Sequence, residues 1–190
     1  MTPLRIGVLG LGKMGQHHLR CAGLARGMVL TAASDLDPSR QSKVPEGVPF
    51  STAPAEMLAA CDAVVLAVPT DRHAALGKQV LAAGKHLLVE KPLAADSKAC
   101  EELAAAAEAS GVVLAVGHVE RWNGAMLALR ERLRRPRFVE GHRLAGFDPR
   151  GTEVDVVLDL MIHDLDLMLS LYGEEPVRVE AVGVPVVSDR

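Results

Sequence analysis

Short apolar runs alternate with helix-like stretches along the first 118 residues. The runs Leu4–Leu9, Met28–Ser34, Ala63–Val68, His86–Glu90 and Val112–Val116 are too short for helices and are rich in Val, Leu, Ile and Ala. They are mostly continuous rather than alternating, as strands covered on both faces are, which belong to parallel sheets between helix layers. Phe50-Ser51 adds a short strand. Between these lie helical stretches at Gln16–Ala25, Pro54–Ala60, Arg72–Ala83 and Ser97–Ser110. Pro54 suits a first helical turn, Asp96 or Ser97 can cap, and Gly84 and Gly111 supply stops. Leu36–Pro49 is rich in Pro, Ser and charge and reads as loop with one helical turn. The order β-α-β-α over 1–118 predicts a doubly wound parallel-sheet α/β domain.

Beyond residue 118 the pattern changes. Asn123–Arg135 reads as a helix, Arg137–Ala145 as a weakly alternating strand, and Phe147–Asp155 as a polar loop. Val156–Tyr172 is a helix and Val177–Val187 is strand-like. The expectation for 119–190 is a partial α+β open-sheet domain, whose two strands are marginal as a sheet of their own. An uncovered edge and apolar face at Val177–Val187 would seek a partner, so a homo-oligomer is expected. A monodisperse monomer at micromolar concentration would count against that.

The first strand runs directly into Gly10-Leu11-Gly12-Lys13-Met14-Gly15, followed by a helix. G-x-G-x-x-G in this strand–turn–helix setting is the dinucleotide fingerprint. Gly10 makes the tight turn, Gly12 lets a pyrophosphate approach the backbone, and Gly15 lets the helix pack closely. The phosphates would meet the unpaired N–H groups and positive dipole of the helix start, where Lys13 and Met14 lie. Asp35 follows the second strand, about 20 residues past Gly15, where an acid grips ribose hydroxyls. An acid there repels a 2′-phosphate, which favours NAD over NADP. The alternative is a glycine-rich turn with an unrelated surface acid.

Composition adds limits. The chain has 190 residues and is 49% hydrophobic, enough for a domain and part of a second. Net charge is −3, from 21 basic and 24 acidic residues, so nothing points to nucleic acid or an anionic membrane. The local cluster Arg130, Arg132, Arg134, Arg135 and Arg137 reads as a solvated helix end. Cys21, Cys61 and Cys100 are odd in number and include no C-x-x-C, as for structural thiols in a reducing compartment. No apolar run reaches membrane-spanning length, and the start lacks the basic and apolar regions of a leader. A cytoplasmic protein is expected.

Three further stretches could carry chemistry. Glu90-Lys91-Pro92 follows a strand, and open α/β sheets bind ligands beyond strand C-termini; Lys91 equally reads as a surface lysine paired with Glu90. On the helix Val156–Tyr172, spacings of three and four gather Asp155, Asp159, His163, Asp166 and Ser170 on one face. Most of the rest of that helix is apolar, which predicts burial, and buried charges need a partner or ligand. Asp159 and His163 are therefore functional candidates or an internal structural pair. A metal reading lacks a third ligand, and none is expected. The run Gly117-His118-Val119-Glu120-Arg121-Trp122-Asn123 ends the Val112–Val116 strand and places His118, Arg121, Trp122 and Asn123 at the junction of the two regions, where pockets form. Trp122 there either stacks on substrate or packs between domains. Val68-Pro69-Thr70 with His73 ends another strand and either borders the cofactor or caps the next helix.

Taken together, Gly10/Gly12/Gly15, Asp35, Val68-Pro69-Thr70 with His73, Glu90-Lys91-Pro92 and Asp159-x-x-x-His163-Asp164 resemble the glucose–fructose oxidoreductase/inositol dehydrogenase (Gfo/Idh/MocA) family. The stretches at Gly117–Asn123 and Asp159–Asp166 further resemble its branch with UDP-N-acetylglucosamine 3-dehydrogenases. The resemblance implies a Rossmann domain and hydride transfer between NAD(P) and a hydroxyl or carbonyl carbon of a sugar or UDP-sugar. It implies cofactor contacts from Gly10, Gly12, Lys13, Met14, Gly15, Asp35, Val68, Pro69, Thr70, His73, Glu90 and Lys91. Catalytic roles fall to Lys91, Asp159 and His163, and substrate contacts to His118, Arg121, Trp122 and Asn123. His163 would exchange the hydroxyl proton, since the chemistry needs a group titrating near neutrality. Family members continue well beyond this length, so the substrate half is expected to be incomplete, and an NAD-binding module without turnover is the alternative.

Overall fold

The computed structural model describes residues 2–133, 136–144, 146 and 155–185. The chain divides into two compact units, 1–117 and 118–190. In the first, the strands are β1 Leu4–Leu9, β2 Met28–Ser34, β3 Phe50–Ser51, β4 Ala63–Leu66, β5 His86–Val89 and β6 Leu114–Val116. Its helices are α1 Lys13–Leu24, α2 Pro54–Leu58, α3 His73–Ala82 and α4 Ser97–Ser110. Short 3₁₀ turns at Pro38–Lys43 and Thr70–Arg72 complete it. The strands form one parallel sheet in the order β3-β2-β1-β4-β5-β6. The order reverses at β1, so the crevice between β1 and β4 is the topological switch point, where such sheets bind ligands.

The larger core joins Leu66, Leu87 and Val89 of the sheet to Met57, Val80, Leu81 and Leu103 of α2, α3 and α4. A smaller core holds Val8, Leu11, Leu19 and Ala33, with α1. The expectation of strands covered on both faces holds at the ends of β1 and β2, extends to Phe50 of β3 and Val65 of β4 packed on the smaller core, and is met only in part along the rest of the sheet. Alternate residues of β4 and β5 stay only half-buried. An apolar groove of about 420 Å³, lined by Ile6, Ala22, Leu87, Leu88 and Ala115 among others, runs along that incompletely covered surface.

The second unit contains a 3₁₀ turn at Val119–Trp122, α5 Gly124–Arg132, a π-helical turn at Val157–Met161 and α6 Ile162–Tyr172. Two expected strands are not found among the described residues. Neither 137–144 of Arg137–Ala145 nor 177–185 of Val177–Val187 enters a ladder. Residue 145 and residues 186 and 187 lie outside the described part, as do 134 and 135 of the expected helix and 147–154 of the expected loop. Apolar alternation marks a side-chain pattern, but a strand exists only when a neighbour takes its N–H and C=O groups. Val177, Val179, Val182 and Val184 are accordingly exposed.

The expectation that Val156–Tyr172 is buried is also corrected. Val156, Val157, Met161, Leu165 and Leu169 are more than a third exposed, and Asp166 alone of the segment is buried. Burial of a helix requires a layer to pack against, and the described residues of this unit form no sheet.

Candidate functional site

The turn after β1 is built as its three glycines require. Gly10 has φ +91°, and a Cβ there would lie 2.6 Å from the Ala67 carbonyl oxygen, so only glycine fits. A Cβ on Gly15 would stand 1.8 Å from the Gly10 carbonyl oxygen, so α1 packs directly on the turn. At Gly12 the space a Cβ would enter is open, with no atom within 4 Å. Gly12 caps α1 without a side-chain hydrogen bond. The N–H groups of the first turn have no intrahelical acceptor, as at every helix start. This is a cradle of bare amides facing an open space, and it fits an anionic diphosphate.

Asp35 lies at the end of β2 and is tied into the same turn. Its Oδ2 accepts the Leu11 N–H at 2.6 Å, and its Oδ1 accepts the Asp37 N–H at 2.9 Å. The Gly10 N–H donates to the Ser34 carbonyl at 2.8 Å, and the Gln16 side chain donates to the Leu11 carbonyl at 3.1 Å. An ionised carboxylate has about four lone-pair sites, so two N–H contacts leave acceptor capacity for ribose hydroxyls. Lys13 and Met14 are exposed on the first turn of α1.

The loops after β4 and β5 are joined by His73, which is 1% exposed. Its Nε2 lies 2.9 Å from the Val68 carbonyl oxygen and its Nδ1 lies 2.8 Å from the Pro92 carbonyl oxygen. His73 thus ties the Val68-Pro69-Thr70 stretch to Glu90-Lys91-Pro92 rather than pointing into open space. Replacing it by Leu removes the ring N–H and leaves the buried carbonyl that accepts it without a donor. A loss of about 2 kcal/mol or more of stability is expected in urea denaturation; a loss under about 0.5 kcal/mol would show that the ring is not a tie.

Glu90 is buried at 8% exposure. Its Oε1 meets His18 Nε2 at 2.6 Å, and its Oε2 accepts the Lys91 N–H at 3.3 Å. A Cβ on Gly117 would come within 3.1 Å of that second oxygen. The sequence reading missed His18. The available signal was the inward face Gly15, His18, Leu19 and Ala22, on which a polar ring needs a partner.

In the second unit, Arg121 forms a two-pronged pair with Asp166: Nε to Oδ2 at 2.7 Å and Nη2 to Oδ1 at 2.5 Å. This contact raises the Arg121 pKa further. His118 Nε2 stands 3.7 Å from Asp166 Oδ1. The stretch expected to bind substrate is thereby clamped to α6. Asn123 caps α5 by accepting the Ala125 N–H at 3.0 Å. Trp122 is 74% exposed and packs little. Asp159 sits within the π-helical turn and His163 at the start of α6. Such wide turns interrupt a regular helix and are frequent at functional sites.

A glycine turn with an acid after β2, at the switch point of a parallel sheet, defines a dinucleotide-binding Rossmann protein. The sequence profile of the Gfo/Idh/MocA group, described as an oxidoreductase family with an NAD-binding Rossmann fold, matches residues 4–118. The chain belongs to this family. It is 39% identical to UDP-N-acetylglucosamine 3-dehydrogenase of Acidithiobacillus ferrooxidans, with 100% of this chain and 61% of that protein covered. The solved structure of that enzyme superposes with a TM-score of 0.90 at 38% identity, over 100% of this chain and 63% of that one. Inositol 2-dehydrogenase of Rhizobium meliloti is 31% identical over 97% of this chain and 59% of its own. GenD2 from gentamicin A biosynthesis, solved in complex with NAD, is 32% identical with a TM-score of 0.66, over 70% of this chain and 39% of its own. The chain thus spans about three fifths of the curated relatives' length.

Proposed function

We propose that the chain is the cofactor-binding part of an NAD-dependent oxidoreductase that acts on a hydroxyl carbon of a sugar or nucleotide sugar. The observation that carries this is the open cradle at Gly12, bounded by the tight Gly10 and Gly15 positions and braced by Asp35. The likeness to a UDP-sugar dehydrogenase and an inositol dehydrogenase supports the substrate class.

The amides of α1 hold the diphosphate and the Asp35 carboxylate takes the adenosine ribose hydroxyls. Bound nicotinamide supplies the acceptor or donor of the hydride. Lys91 hydrogen-bonds the reacting hydroxyl, His163 takes its proton during oxidation and returns it during reduction, and Asp159 orients the sugar and the ring. His118 and Arg121, clamped at Asp166, with Trp122 and Asn123, contact the substrate.

A second reading is an NAD-binding module without turnover. The half-exposed helix carrying Asp159 and His163 favours it, because a site closed to water strengthens the electrostatics that hydride transfer draws on. Absorbance of reduced nicotinamide across a panel of sugars and UDP-sugars separates the two. Turnover supports the enzyme, whereas binding without turnover on any of them supports the module.

Asp35 sets cofactor choice in this account. Asp35→Ser is expected to move the NADH-to-NADPH affinity ratio by about tenfold toward NADPH, equivalent to about 1.4 kcal/mol. An unchanged ratio in fluorescence titrations would remove Asp35 from the ribose.

A further inference from the structure

Two histidines bind the loop that bears Lys91, and only one of them belongs to a motif already given a role. His18 stands on α1, the helix whose start forms the diphosphate cradle. Its ring is mostly buried, and Nε2 lies 2.6 Å from Glu90 Oε1. One proton is shared across this contact between Nε2 and Oε1. The other Glu90 oxygen accepts the main-chain N–H of Lys91 at 3.3 Å. The Glu90 carboxylate occupies the space a side chain at residue 117 would need, since a Cβ on Gly117 would come within 3.1 Å of Oε2. A short buried charge-assisted bond is about twice as strong as a neutral one, which suits it to fixing the direction of a loop.

We propose that His18 is a positioning residue for Lys91: through Glu90 it ties the phosphate-binding helix to the loop that presents the Lys91 amine. The proposal rests on the role given to Lys91 above, and it deepens that role. Cofactor settling on the start of α1 then steadies Lys91 through His18 and Glu90, so binding and alignment of the amine are coupled. Nothing in the fingerprint or in Glu90-Lys91-Pro92 specifies this partner.

The test compares His18→Gln with His18→Asn in the full chain. Gln places an amide N–H near the position of Nε2 and can keep the bond to Glu90, whereas Asn is too short to do so. Amide hydrogen exchange followed by NMR reads the Lys91 N–H directly, with or without cofactor. His18→Asn is expected to lower protection of the Lys91 amide about tenfold, while the Val64 amide in the central strand keeps its wild-type rate. His18→Gln restores it. Added NAD raises Lys91 protection in wild type and His18→Gln, and fails to do so in His18→Asn. Wherever turnover is measured, kcat falls in His18→Asn while KM for NAD stays within about twofold.

Unchanged Lys91 protection in His18→Asn would overturn the proposal. Equal loss at Lys91 and Val64 would do so as well, since it marks general loosening of the sheet. Failure of His18→Gln to restore protection would likewise overturn it, as would an NAD response that persists in His18→Asn. If wild-type protein binds no NAD, the functional reading fails and the coupling proposal with it. The exchange rates without cofactor then still decide whether His18 holds the Lys91 loop.

Discussion

Gly12→Val is expected to melt within about 2 °C of wild type and to bind NADH about thirtyfold more weakly. The two halves of this result come from one feature. Gly12 has φ −63° and ψ −163°, extended backbone that any residue adopts, and a Cβ there meets no atom within 4 Å. The folded chain therefore has no steric objection to a Cβ at this position. A diphosphate on the α1 amides does, because the added methyls occupy the approach to the backbone. Losing one or two charge-assisted hydrogen bonds costs about 2 kcal/mol, equivalent to about thirtyfold in affinity. Gly15→Ala serves as the contrast. Its methyl would sit 1.8 Å from a backbone oxygen, so stability and affinity should fall together. Thermal melts and NADH fluorescence titrations check both. A Gly12→Val protein that binds NADH as wild type does would contradict the cradle.

His163→Ala is expected to lower turnover by about 10² to 10⁴ while leaving NADH affinity within about twofold. The range is that of a positioned general base. The separation follows from the proposed division of labour, in which the fingerprint residues hold the cofactor and His163 handles only the proton of the sugar hydroxyl. Stopped-flow or steady-state absorbance of reduced nicotinamide, alongside binding titrations, reads both quantities. A loss of NADH affinity comparable to the loss of turnover would contradict the assigned role. Asp159→Asn should retain more activity than His163→Ala, since an amide still orients the ring and the sugar.

What could be read from the chain divides by the range of the interactions involved. Leu4–Leu9, Met28–Ser34, Phe50-Ser51 and the start of α4 at Ser97 were legible because a strand run, a turn and a cap are each local. The glycine turn was legible because its backbone needs fall on three residues. Asp35 was legible as an acid at a strand end, but its bond to the Leu11 N–H was not, since that depends on how β1 and β2 align. His18 and Glu90 are 72 residues apart, and no spacing rule reaches so far. Asn123 was read as the first residue of a helix and as a substrate contact, and the structure places it one position earlier, as the cap of α5. Over the described residues 137–144 and 177–185 the expected strands do not form, because alternation cannot supply a ladder partner. The π-helical turn at Val157–Met161 has no marker in composition, as its single acid among apolar residues matches the helix that follows.

The central claim is that the amides at the start of α1 bind a dinucleotide diphosphate. The most direct measurement is a ¹H–¹⁵N correlation spectrum of labelled protein titrated with NAD. The account predicts saturable shifts concentrated at Gly10–Gly15 and Asp35, weakened in Gly12→Val. Saturable shifts confined to other residues, or no shifts at all in folded wild-type protein, would contradict it.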